Sequence, residues 1–267
     1  MTFMDLQDPR YAYMFGFLQA DGHLATGTGK KGRLAVELSH RDLAILEAFQ
    51  RLTPYRTTIR ERTRTTNFAA SHRSAIWTLC SLEARTLLES LGLPPGRKSD
   101  RVAPPRVPFS QPDYLRGIID ADGSVGFTAT GLPFVSLTTA STAIATFLRD
   151  YTERVFGIPR TAKRNARDGV YNLMYMREAG VTLAQHLYPA DALALERKKA
   201  AAAEVSAWVR PPEMKRAGPR RRWNPAEDHV LLSSPTVADA AALLQRSVSS
   251  CLNRRHRLRP GTRAPRR

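Results

Sequence analysis

The sequence RGIIDADGSVGF, residues 116–127, ends an apolar run with two acids and a glycine. A second stretch, FGFLQADGHL at residues 15–24, has nearly the same form. The glycines that close the two stretches, Gly22 and Gly123, differ by 101 in residue number. An internal repeat of this length indicates that the chain folds as two similar halves.

The two stretches also share the spacing of their small residues. Gly117 and Ala121 are four residues apart, so they lie on one face of a helix. The first copy has Gly16 and Ala20 at the same spacing. Small residues in this arrangement let two helix backbones approach closely, as they do in pairs of membrane helices. We therefore expect the two motif helices to pack against each other, with the last acid of each copy side by side at the helix ends.

Two carboxylates at this position, Asp21 and Asp122, are electrostatically unfavourable. Each faces the negative end of its helix dipole, and the two repel each other. A local rule that is broken in both copies indicates a compensating cation, and Mg²⁺ prefers carboxylate, carbonyl and water oxygens. Such an ion beside a basic surface suits phosphodiester hydrolysis. The alternative is that Asp-Gly only ends each helix in a turn, but the repetition favours the metal site.

The composition favours a polyanionic partner. The 267 residues carry a formal net charge of +17, which favours nucleic acid over an acidic membrane. The alternative is a basic solvated surface without a specific partner. No apolar stretch approaches the roughly twenty residues of a membrane span, and the N-terminus lacks the pattern of a signal peptide. Cys80 and Cys251 lie far apart, and we interpret both as free thiols in a reducing cell interior.

Hydrophobic periodicity predicts the same order in each half: helix, two strands, helix, two strands, helix. In the first half, helices are predicted at 11–22, 41–52 and 74–92, and strands at 32–40, 55–64 and 66–72, so only one strand of its first pair is assigned to residues. In the second half, helices are predicted at 113–123, 141–157, 180–189 and 192–209, strands at 124–130 and 134–140, and a hairpin at 160–178. Gly92 and Gly157 are predicted to end their helices, and Asp168 and Gly169 to form the hairpin turn.

The chain is predicted to divide into segments of different character. The first half covers 1–100 and the second 113–209, joined by a proline-bearing linker at 101–112 that cannot be helical. A basic linker at 210–221 leads to a small domain at 222–259, with helices predicted at 225–232, 237–244 and 247–257. Residues 260–267 are predicted to be a disordered basic tail.

Both repeated stretches resemble the signature of the LAGLIDADG homing endonucleases, in MFGFLQADG at 14–22 and LRGIIDADG at 115–123. The resemblance extends from Tyr11 to Trp208. It implies an α+β fold of two pseudo-symmetric αββαββα domains, each with a saddle-shaped antiparallel sheet over the DNA major groove. It also implies a monomer that needs no protein partner and that cleaves both strands of a long specific DNA site, leaving short 3′ overhangs.

The same resemblance implies which residues bind the metal. The last acid of each motif, Asp21 or Asp122, would be a ligand, with two or three Mg²⁺ ions shared between them and the carbonyls of Ala20 and Ala121 as further ligands. The first motif departs from the second at Gln19, which stands where the second has Asp120. Because this position is not the main metal ligand of the family, we expect activity to persist, with the two strands cut unequally.

Family members also carry a basic residue near the active site, often a lysine late in each half. Lys98 fits this role in the first half. In the second half the repeat offset favours Lys199, whereas the Arg-Lys pair shared with residues 97 and 98 favours Lys198. We assign Lys98 and Lys198; the alternative for both is a solvated charge.

DNA contacts are assigned to the polar faces of the strands and to the last predicted helix. Four arginines share one side of a predicted strand, where like charges repel unless a polyanion covers them. The C-terminal domain resembles a Myb/SANT-like helix-turn-helix, whose basic third helix enters the major groove; the alternative is a basic amphipathic tail packed on the main body. Its core is expected to contain Trp223, Leu231, Leu243, Leu244 and Leu252. The assigned contact residues are Arg33, Glu37, Arg56, Arg60, Arg62, Arg64, Ser136, Thr138, Lys163, Arg164, Arg167, Ser249, Asn253, Arg254, Arg255 and Arg257.

The function predicted from the sequence is a site-specific, Mg²⁺-dependent endonuclease of double-stranded DNA, located in the cytoplasm and associated with the nucleoid. One alternative is a non-cleaving DNA- or RNA-binding protein on the same scaffold, either a transcription regulator or an intron maturase. The presence of both motif acids favours cleavage. Another alternative is a nuclease within an intein, but the chain lacks the splicing nucleophile and terminal Asn, so we expect a freestanding enzyme.

Overall fold

The structure, a computed structural model, describes residues 2–66, 69–214 and 221–258. It divides into two compact units, residues 1–210 and 211–267. The predicted tail at 260–267 and residues 215–220 of the predicted basic linker lie outside the described residues. Asn67 and Phe68, which belong to a predicted strand, lie outside them as well.

In the described part of the first unit, helices alternate along the chain with strands that form two antiparallel sheets. Its helices are α1 (Pro9–Asp21), α2 (Gly29–Gly32), α3 (Leu43–Leu52), α4 (Leu82–Ser90), α5 (Gln111–Asp122), α6 (Thr142–Phe156), α7 (Glu178–Leu187) and α8 (Glu196–Ser206), with a 3-10 turn at His40–Asp42. Its strands are β1 (His23–Leu24), β2 (Leu34–Ser39), β3 (Thr57–Thr66), β4 (Ala69–Leu79), β5 (Gly123–Phe127), β6 (Pro133–Thr139) and β7 (Tyr171–Met176). The second unit has α9 (Pro225–Ser233), α10 (Val237–Leu243) and α11 (Val248–Leu258). Across the described ranges, no helix has the length and apolar character needed to cross a membrane.

The motif helices α1 and α5 pack directly against each other within the core of the first unit. A Cβ atom placed on Gly117 would lie 2.1 Å from the carbonyl oxygen of Tyr13. A Cβ atom placed on Gly16 would lie 2.3 Å from the carbonyl oxygen of Tyr114. Only hydrogen fits at these two positions, so the close helix pairing predicted from the small residues is confirmed.

The first half has the predicted order α1, β1, β2, α3, β3, β4 and α4, with the short, unpredicted α2 between β1 and β2. Its four strands form an antiparallel sheet in the order β1-β2-β4-β3. Strand β2 alternates as predicted: Leu34 and Val36 are buried, whereas Glu37 is exposed. The buried Trp77 of β4 lies opposite Val36. One face of this sheet therefore packs on the core, and the other face carries the polar side chains.

The helix predicted at 74–92 is wrong in its first part. Residues 74–79 belong to β4, and α4 begins only at Leu82. Ala75, Trp77 and Leu79 are buried while the residues between them are half-buried, which is the period of a strand. The hydroxyl of Ser81 accepts a hydrogen bond from the backbone N–H of residue 84 and so caps α4. Gly92, with φ of +104°, follows the helix end as predicted.

The second half differs from the prediction by one strand. Its sheet has three antiparallel strands in the order β5-β6-β7. The hairpin predicted at 160–178 supplies only β7, because its first arm makes a single isolated bridge, between Arg164 and Tyr171. The turn at Gly169, with φ of +69°, is present. The first arm, RTAKRNAR, offers no alternating apolar residues to hold it on the core.

The proline-bearing segment between the halves has no helix before Gln111, but residues 111 and 112, predicted as linker, begin α5. Proline is tolerated in the first turn of a helix, where its missing N–H would have no partner. The segment differs from a flexible linker because the body of the unit holds it in place. Val102 is buried, and its carbonyl accepts a hydrogen bond from the Ser141 hydroxyl at 2.6 Å. The backbone N–H of Ser110 donates to the carbonyl of Leu6 at 2.8 Å. These bonds hold in place the segment that follows Lys98.

The second unit forms a small three-helix core. Capping boxes start α9 at Asn224 and α10 at Thr236. The buried apolar residues of its described part are Leu231, Ala240, Ala241, Leu244 and Cys251, with Trp223 packed against them.

Two predicted core residues of the second unit are in fact at its surface. Leu243 is 72% exposed and Leu252 is 53% exposed. Cys251 occupies the core-facing position of α11, and the next residue of a helix is rotated by about 100° away from it. The same rotation places Leu243 outside the core, since its neighbour Leu244 faces inward.

Candidate active site

The motif acids, Asp21 and Asp122, are the last residues of α1 and α5. The chain then enters β1 and β5 through Gly22 and Gly123, whose φ angles of −69° and −111° are open to any residue. Contact excludes a side chain instead, because a Cβ atom on Gly123 would lie 2.4 Å from the carbonyl oxygen of Ser136. The glycines therefore hold each acid at a tight helix-to-strand junction, which a simple helix-ending turn would not require.

Gln19, two residues before the first motif acid, is completely buried. Its side-chain amide donates to the carbonyl oxygens of Gly92 at 2.7 Å and Ala103 at 3.0 Å. These two acceptors flank the segment that carries Lys98. The amide thus ties α1 to the loop that supplies the lysine of the first half.

Asp120 holds the equivalent place in the second half and is 1% exposed. Its carboxylate accepts from the backbone N–H of Leu195 at 2.7 Å and from the hydroxyl of Tyr188 at 2.7 Å. Leu195 is the residue before α8, the helix that carries Lys198. Burial raises the pKa of Asp120, against the hydrogen bonds from Leu195 and Tyr188. We call Gln19 and Asp120 the anchor residues.

Each anchor residue also receives a tyrosine hydroxyl from the other motif helix. Tyr13 of α1 donates to Asp120 at 2.8 Å, and Tyr114 of α5 donates to the side-chain carbonyl of Gln19. Burial raises the pKa of both tyrosines well above the usual range, so their hydroxyls remain donors. Neither tyrosine is among the site residues predicted from the sequence. The signal was present, since the two tyrosines differ by the same 101 residues as the motif glycines.

The site lysines, Lys98 and Lys198, lie against the C-terminal ends of the motif helices. The Lys98 Nζ atom donates to the carbonyls of Gln19 at 2.6 Å and Ala20 at 2.5 Å. The Lys198 Nζ atom donates to the carbonyls of residues 119 and 120 at 2.7 Å each and of residue 123 at 2.8 Å. Both lysines thus donate to carbonyls at the C-terminal ends of the motif helices, where few intrahelical N–H partners remain. Lys199, the alternative left open by the sequence, instead donates to the carbonyl of Ala192 at 3.2 Å.

The acids and lysines perturb one another electrostatically. The pKa of Asp122 is raised to about 6, chiefly by burial and also by the charge of Asp21, while Lys98 and Lys198 oppose the rise. Burial also raises the pKa of Asp21, again against the two lysines. Both acids have solvent-accessible side chains. The protein around them nevertheless displaces enough water to disfavour the charged form of each carboxyl group.

The lysine of the second half has the larger shift of the two amines. Burial lowers the pKa of Lys198 to about 8, while the charge of Asp120 acts in the opposite direction. Burial lowers the pKa of Lys98 as well, against the charges of Asp122 and Asp21. Two acids that repel each other therefore share one site with two amines that are poorly solvated.

An ion pair between the halves fixes the start of α8. The Arg197 Nε atom lies 3.1 Å and 3.2 Å from the two carboxylate oxygens of Asp42. Asp42 belongs to the first half and is buried. This contact was not expected from the sequence, and it holds the helix of Lys198 against the other half.

The donor set of the site fits a hard divalent cation. Burial raises the pKa of both carboxylates, and the charge of Asp21 adds to the rise at Asp122, so the pair gains from a shared positive charge. Oxygen is the ligand that Mg²⁺ prefers. Within residues 2–66, 69–214 and 221–258, no cluster of three or more His, Cys, Asp or Glu side chains is arranged to hold a metal. Protein carboxylates alone would thus leave coordination positions open for carbonyl, water and substrate oxygens. The carbonyl of Ala20, one expected ligand, already accepts from Lys98.

The polar face of the first sheet carries an arginine row, Arg60, Arg62 and Arg64, which are all exposed on β3. Glu37 of β2 lies on this face, 3.3 Å from Arg64, and accepts a hydrogen bond from Ser74 of β4 at 2.7 Å. Arg33 and Arg56 are exposed just before β2 and β3. The structure thus brings together the first-half residues that the sequence assigned to DNA contacts.

The second-half residues assigned to DNA contacts are divided between sheet and loop. Ser136 and Thr138 lie on the polar face of β6, and the Thr138 hydroxyl donates to the side-chain carbonyl of Asn172 at 2.7 Å. The remaining three lie outside any strand and are exposed, namely Lys163, Arg164 and Arg167. Their predicted place on a strand face is therefore wrong.

The basic residues of α11 play two different parts. Arg254 pairs with Asp228 and lies 5.8 Å from the centre of the Trp223 ring, so it helps to hold the second unit together. Ser249, Asn253 and Arg257 are exposed, and Arg255 is half-buried. Arg246, which is not among the residues predicted from the sequence, packs its guanidinium 4.2 Å from the Trp223 ring centre and pairs with the buried Glu227.

The comparisons with known proteins agree with this architecture. The sequence model of the LAGLIDADG-like domain family matches residues 111–187. No curated protein matches the chain significantly. The solved structure of the homing endonuclease I-WcaI bound to its DNA recognition sequence superposes with a TM-score of 0.50 at 11% identity, covering 73% of this chain and 87% of that one.

Two further solved structures are similar at lower scores. The meganuclease I-SmaMI bound to uncleavable DNA has a TM-score of 0.45 at 12% identity, covering 74% of this chain and 88% of that one. The N-terminal LAGLIDADG domain of DUF199/WhiA has a TM-score of 0.40 at 12% identity, covering 77% of this chain and 84% of that one. Residues 111–187 thus match the LAGLIDADG-like domain family, and the unit that contains them shares the fold of the I-WcaI homing endonuclease structure.

Proposed function

We propose that this protein is a site-specific endonuclease that hydrolyses both strands of a long DNA site and leaves short 3′ overhangs. The observation that carries the proposal is the pair of motif acids, each at the end of a helix and each with a pKa raised in the presence of the other site groups. Two acids kept together at this electrostatic cost indicate a divalent metal between them. The DNA-bound homing endonuclease of the same fold supports duplex DNA as the substrate.

The motif acids Asp21 and Asp122 would hold two or three Mg²⁺ ions between them. When bound, divalent ions at such a site activate water and stabilise the leaving oxygen of a phosphodiester. The carbonyl of Ala121 remains a proposed further ligand. The glycine junctions keep both carboxylates in place before the substrate arrives, so little reorganisation is needed.

The site lysines support this chemistry through their charge. Both are buried, at 6% and 5% exposure for Lys98 and Lys198, and both act electrostatically on the motif acids. Their positive charges favour the ionised carboxylates that a metal requires, and they offset the negative ends of the two helix dipoles. We therefore assign them to stabilising the anionic site rather than to contacting bases.

The arginine row is the proposed electrostatic contact to the DNA. Three exposed guanidinium groups on one strand face attract phosphates and can donate in pairs to guanine edges. The neutral polar face of the second sheet, with Thr138 and Asn172, would contact the other half of the site. The formal net charge of +17 is consistent with a polyanionic substrate.

The second unit is proposed to be a helix-turn-helix module that binds DNA beside the cleavage site. Ser249, Asn253 and Arg257 lie one and two turns apart on the exposed side of α11. A helix with this composition can read a major groove. Tethered to the first unit, it would raise affinity by effective concentration rather than by taking part in the reaction.

Selection from a library of DNA duplexes tests the proposal. The full chain is incubated with a randomised duplex pool and Mg²⁺, and the cut ends are sequenced, with a parallel reaction in EDTA. We expect one long asymmetric site, cut on both strands with 3′ overhangs, and no cutting in EDTA. Enrichment of a bound site without cutting would favour the non-cleaving alternative, and cutting without sequence preference would contradict a site-specific enzyme.

Removing the arginine row should weaken DNA binding and its salt dependence together. In the triple variant Arg60→Gln, Arg62→Gln, Arg64→Gln, the slope of log K against log salt should become shallower by up to about 2.7, since each lost phosphate contact contributes about 0.9. The measurement is fluorescence anisotropy of the selected duplex at several salt concentrations.

A charge-matched triple variant provides the control for this experiment. Arg41→Gln, Arg51→Gln, Arg154→Gln removes the same charge from the helical side of the unit, where Arg51 and Arg154 lie on α3 and α6. It should leave the slope nearly unchanged. Equal slopes for the two triple variants would show that the row acts only through the overall charge of the protein.

A further inference from the structure

The anchor residues Gln19 and Asp120 occupy equivalent places in the two motifs but have opposite hydrogen-bonding character. Both are sealed from solvent, at 0% and 1% exposure. Neither is therefore available to a substrate from the surface of the site. Their function must be sought in the groups that they touch inside the protein.

The protein surrounds Gln19 with acceptors from its own half. The carbonyls of Gly92 and Ala103 both receive the amide of Gln19, at 2.7 Å and 3.0 Å. A carboxylate in this place could donate to neither carbonyl, and it would leave both buried acceptors unpaired and facing a negative charge. Only the Tyr114 hydroxyl, which donates to Gln19, would remain a suitable partner for an acid.

The protein surrounds Asp120 with donors instead. The backbone N–H of Leu195 and the hydroxyls of Tyr188 and Tyr13 all point to its two oxygens, at 2.7 Å, 2.7 Å and 2.8 Å. A carboxylate has enough lone pairs for all three donors. An amide would offer one oxygen, and its N–H₂ group would face a donor.

Each anchor residue joins the same three parts of the site. Through its own half it holds the segment with the lysine: Gly92 and Ala103 flank Lys98, and Leu195 precedes Lys198 by three residues. Through the tyrosine of the opposite motif helix it holds the other half. The backbone carbonyls that receive each lysine include that of the anchor residue itself.

We propose that Gln19 and Asp120 are positioning residues that hold the two site lysines in place. Gln19 is then the residue that the backbone acceptors of the first half require, and not a substitution that removed a functional acid from the first motif. The segment around each lysine decides whether the anchor residue must donate or accept hydrogen bonds. Around Lys98 it presents backbone carbonyls, and before Lys198 it presents a backbone N–H. Restoring the motif acid at residue 19 should therefore damage the first half of the site. The contrary view, in which Gln19 is a weakened catalytic residue, expects the same change to improve it.

Lysine labelling tests this proposal without any cleavage measurement. The full-length wild type and the variants Gln19→Glu and Asp120→Asn are treated with an amine-reactive reagent, and modification at each lysine is quantified by mass spectrometry. Gln19→Glu should raise the labelling rate of Lys98 by roughly tenfold and leave Lys198 within about twofold, since the loss of a buried hydrogen bond is worth about a factor of ten. Asp120→Asn should do the reverse.

Matched surface variants and a neutral isostere complete the experiment. Gln7→Glu and Asp150→Asn make the same chemical changes at exposed residues and should alter neither site lysine. Gln19→Met removes the donor without adding charge, so it should release Lys98 even if Gln19→Glu fails to fold. The proposal would be overturned if each variant raised the labelling rates of Lys98 and Lys198 equally. It would also be overturned if neither rate rose in Gln19→Met and Asp120→Asn.

A second measurement rests on the proposed nuclease function. The cleavage of each strand is followed on a duplex whose two strands carry different labels. Gln19→Glu and Asp120→Asn should each lower the turnover number for one strand more than for the other, and the two variants should affect opposite strands. DNA affinity should remain within about threefold of the wild type. Faster cutting by Gln19→Glu would support the contrary view. If the wild type cuts no DNA, the labelling result still decides the positioning role, so the two failures are distinguishable.

Discussion

The substitution Asp122→Asn is expected to abolish double-strand cleavage while the folded protein still binds its DNA site. Asparagine keeps the size of the side chain but removes the negative charge that a metal needs. Because a catalytic metal stabilises the transition state by several kcal/mol, the rate should fall about a thousandfold or more. The measurement is single-turnover cleavage of the selected duplex in Mg²⁺, beside anisotropy measurements of affinity.

The structure predicts that the folded state tolerates this change. Asp122 is exposed at the end of α5, and its carboxylate is held at a cost, as its raised pKa shows. Loss of the charge should leave stability unchanged or slightly improved. Asp21→Asn should have a comparable effect on cleavage, whereas Asp150→Asn, at an exposed position on α6, should have none. Wild-type rates in Asp122→Asn would remove this residue from the proposed chemistry.

The second large effect is expected from Gly117→Ala, which should destabilise the first unit by about 3 kcal/mol, at the upper end of overpacking costs. The new methyl group would lie 2.1 Å from the carbonyl oxygen of Tyr13 and 2.8 Å from the backbone nitrogen of Phe17. Both neighbours belong to the backbone of α1, so no side chain can move aside. The two motif helices would have to separate, and the motif acids with them.

Urea denaturation followed by circular dichroism gives the free energy of unfolding for this variant. Gly29→Ala provides the control, since a Cβ atom at that position meets nothing within 4 Å and lies outside the motif helices. Gly16→Ala should resemble Gly117→Ala, because its Cβ atom would lie 2.3 Å from the carbonyl of Tyr114. A stability of Gly117→Ala close to that of the control would mean that the helices do not cross at this glycine.

Much of the fold could be predicted because the relevant signals are local. The spacing of Gly16 and Gly117 within their helices already predicted a close helix pair, and the alternation in β2 predicted a half-buried strand. Errors arose where short-range patterns are ambiguous. The apolar residues of the stretch 74–79 are nearly continuous, which favours a helix. In the structure, Trp77 and its neighbours instead form part of β4 in the first sheet.

The site lysine of the second half illustrates where local reasoning stops. Two adjacent lysines, Lys198 and Lys199, fit the repeat by different criteria, and both lie on α8. Neighbouring residues on a helix point about 100° apart, so only the placement of α8 against α5 decides which amine meets the motif carbonyls. The Arg197–Asp42 pair between the halves contributes to that placement.

The amino-acid sequence by itself determined that this chain carries one motif twice, that two glycine-bearing helices cross, and that Asp21 and Asp122 end them. These are properties of residues within a few positions of one another, so periodicity and residue size are enough to reveal them. Only the tertiary structure decided what Gln19 and Asp120 do, because their partners Gly92 and Leu195 lie 73 and 75 residues away. Whether a buried position needs a donor or an acceptor depends on which distant backbone atoms the fold places against it.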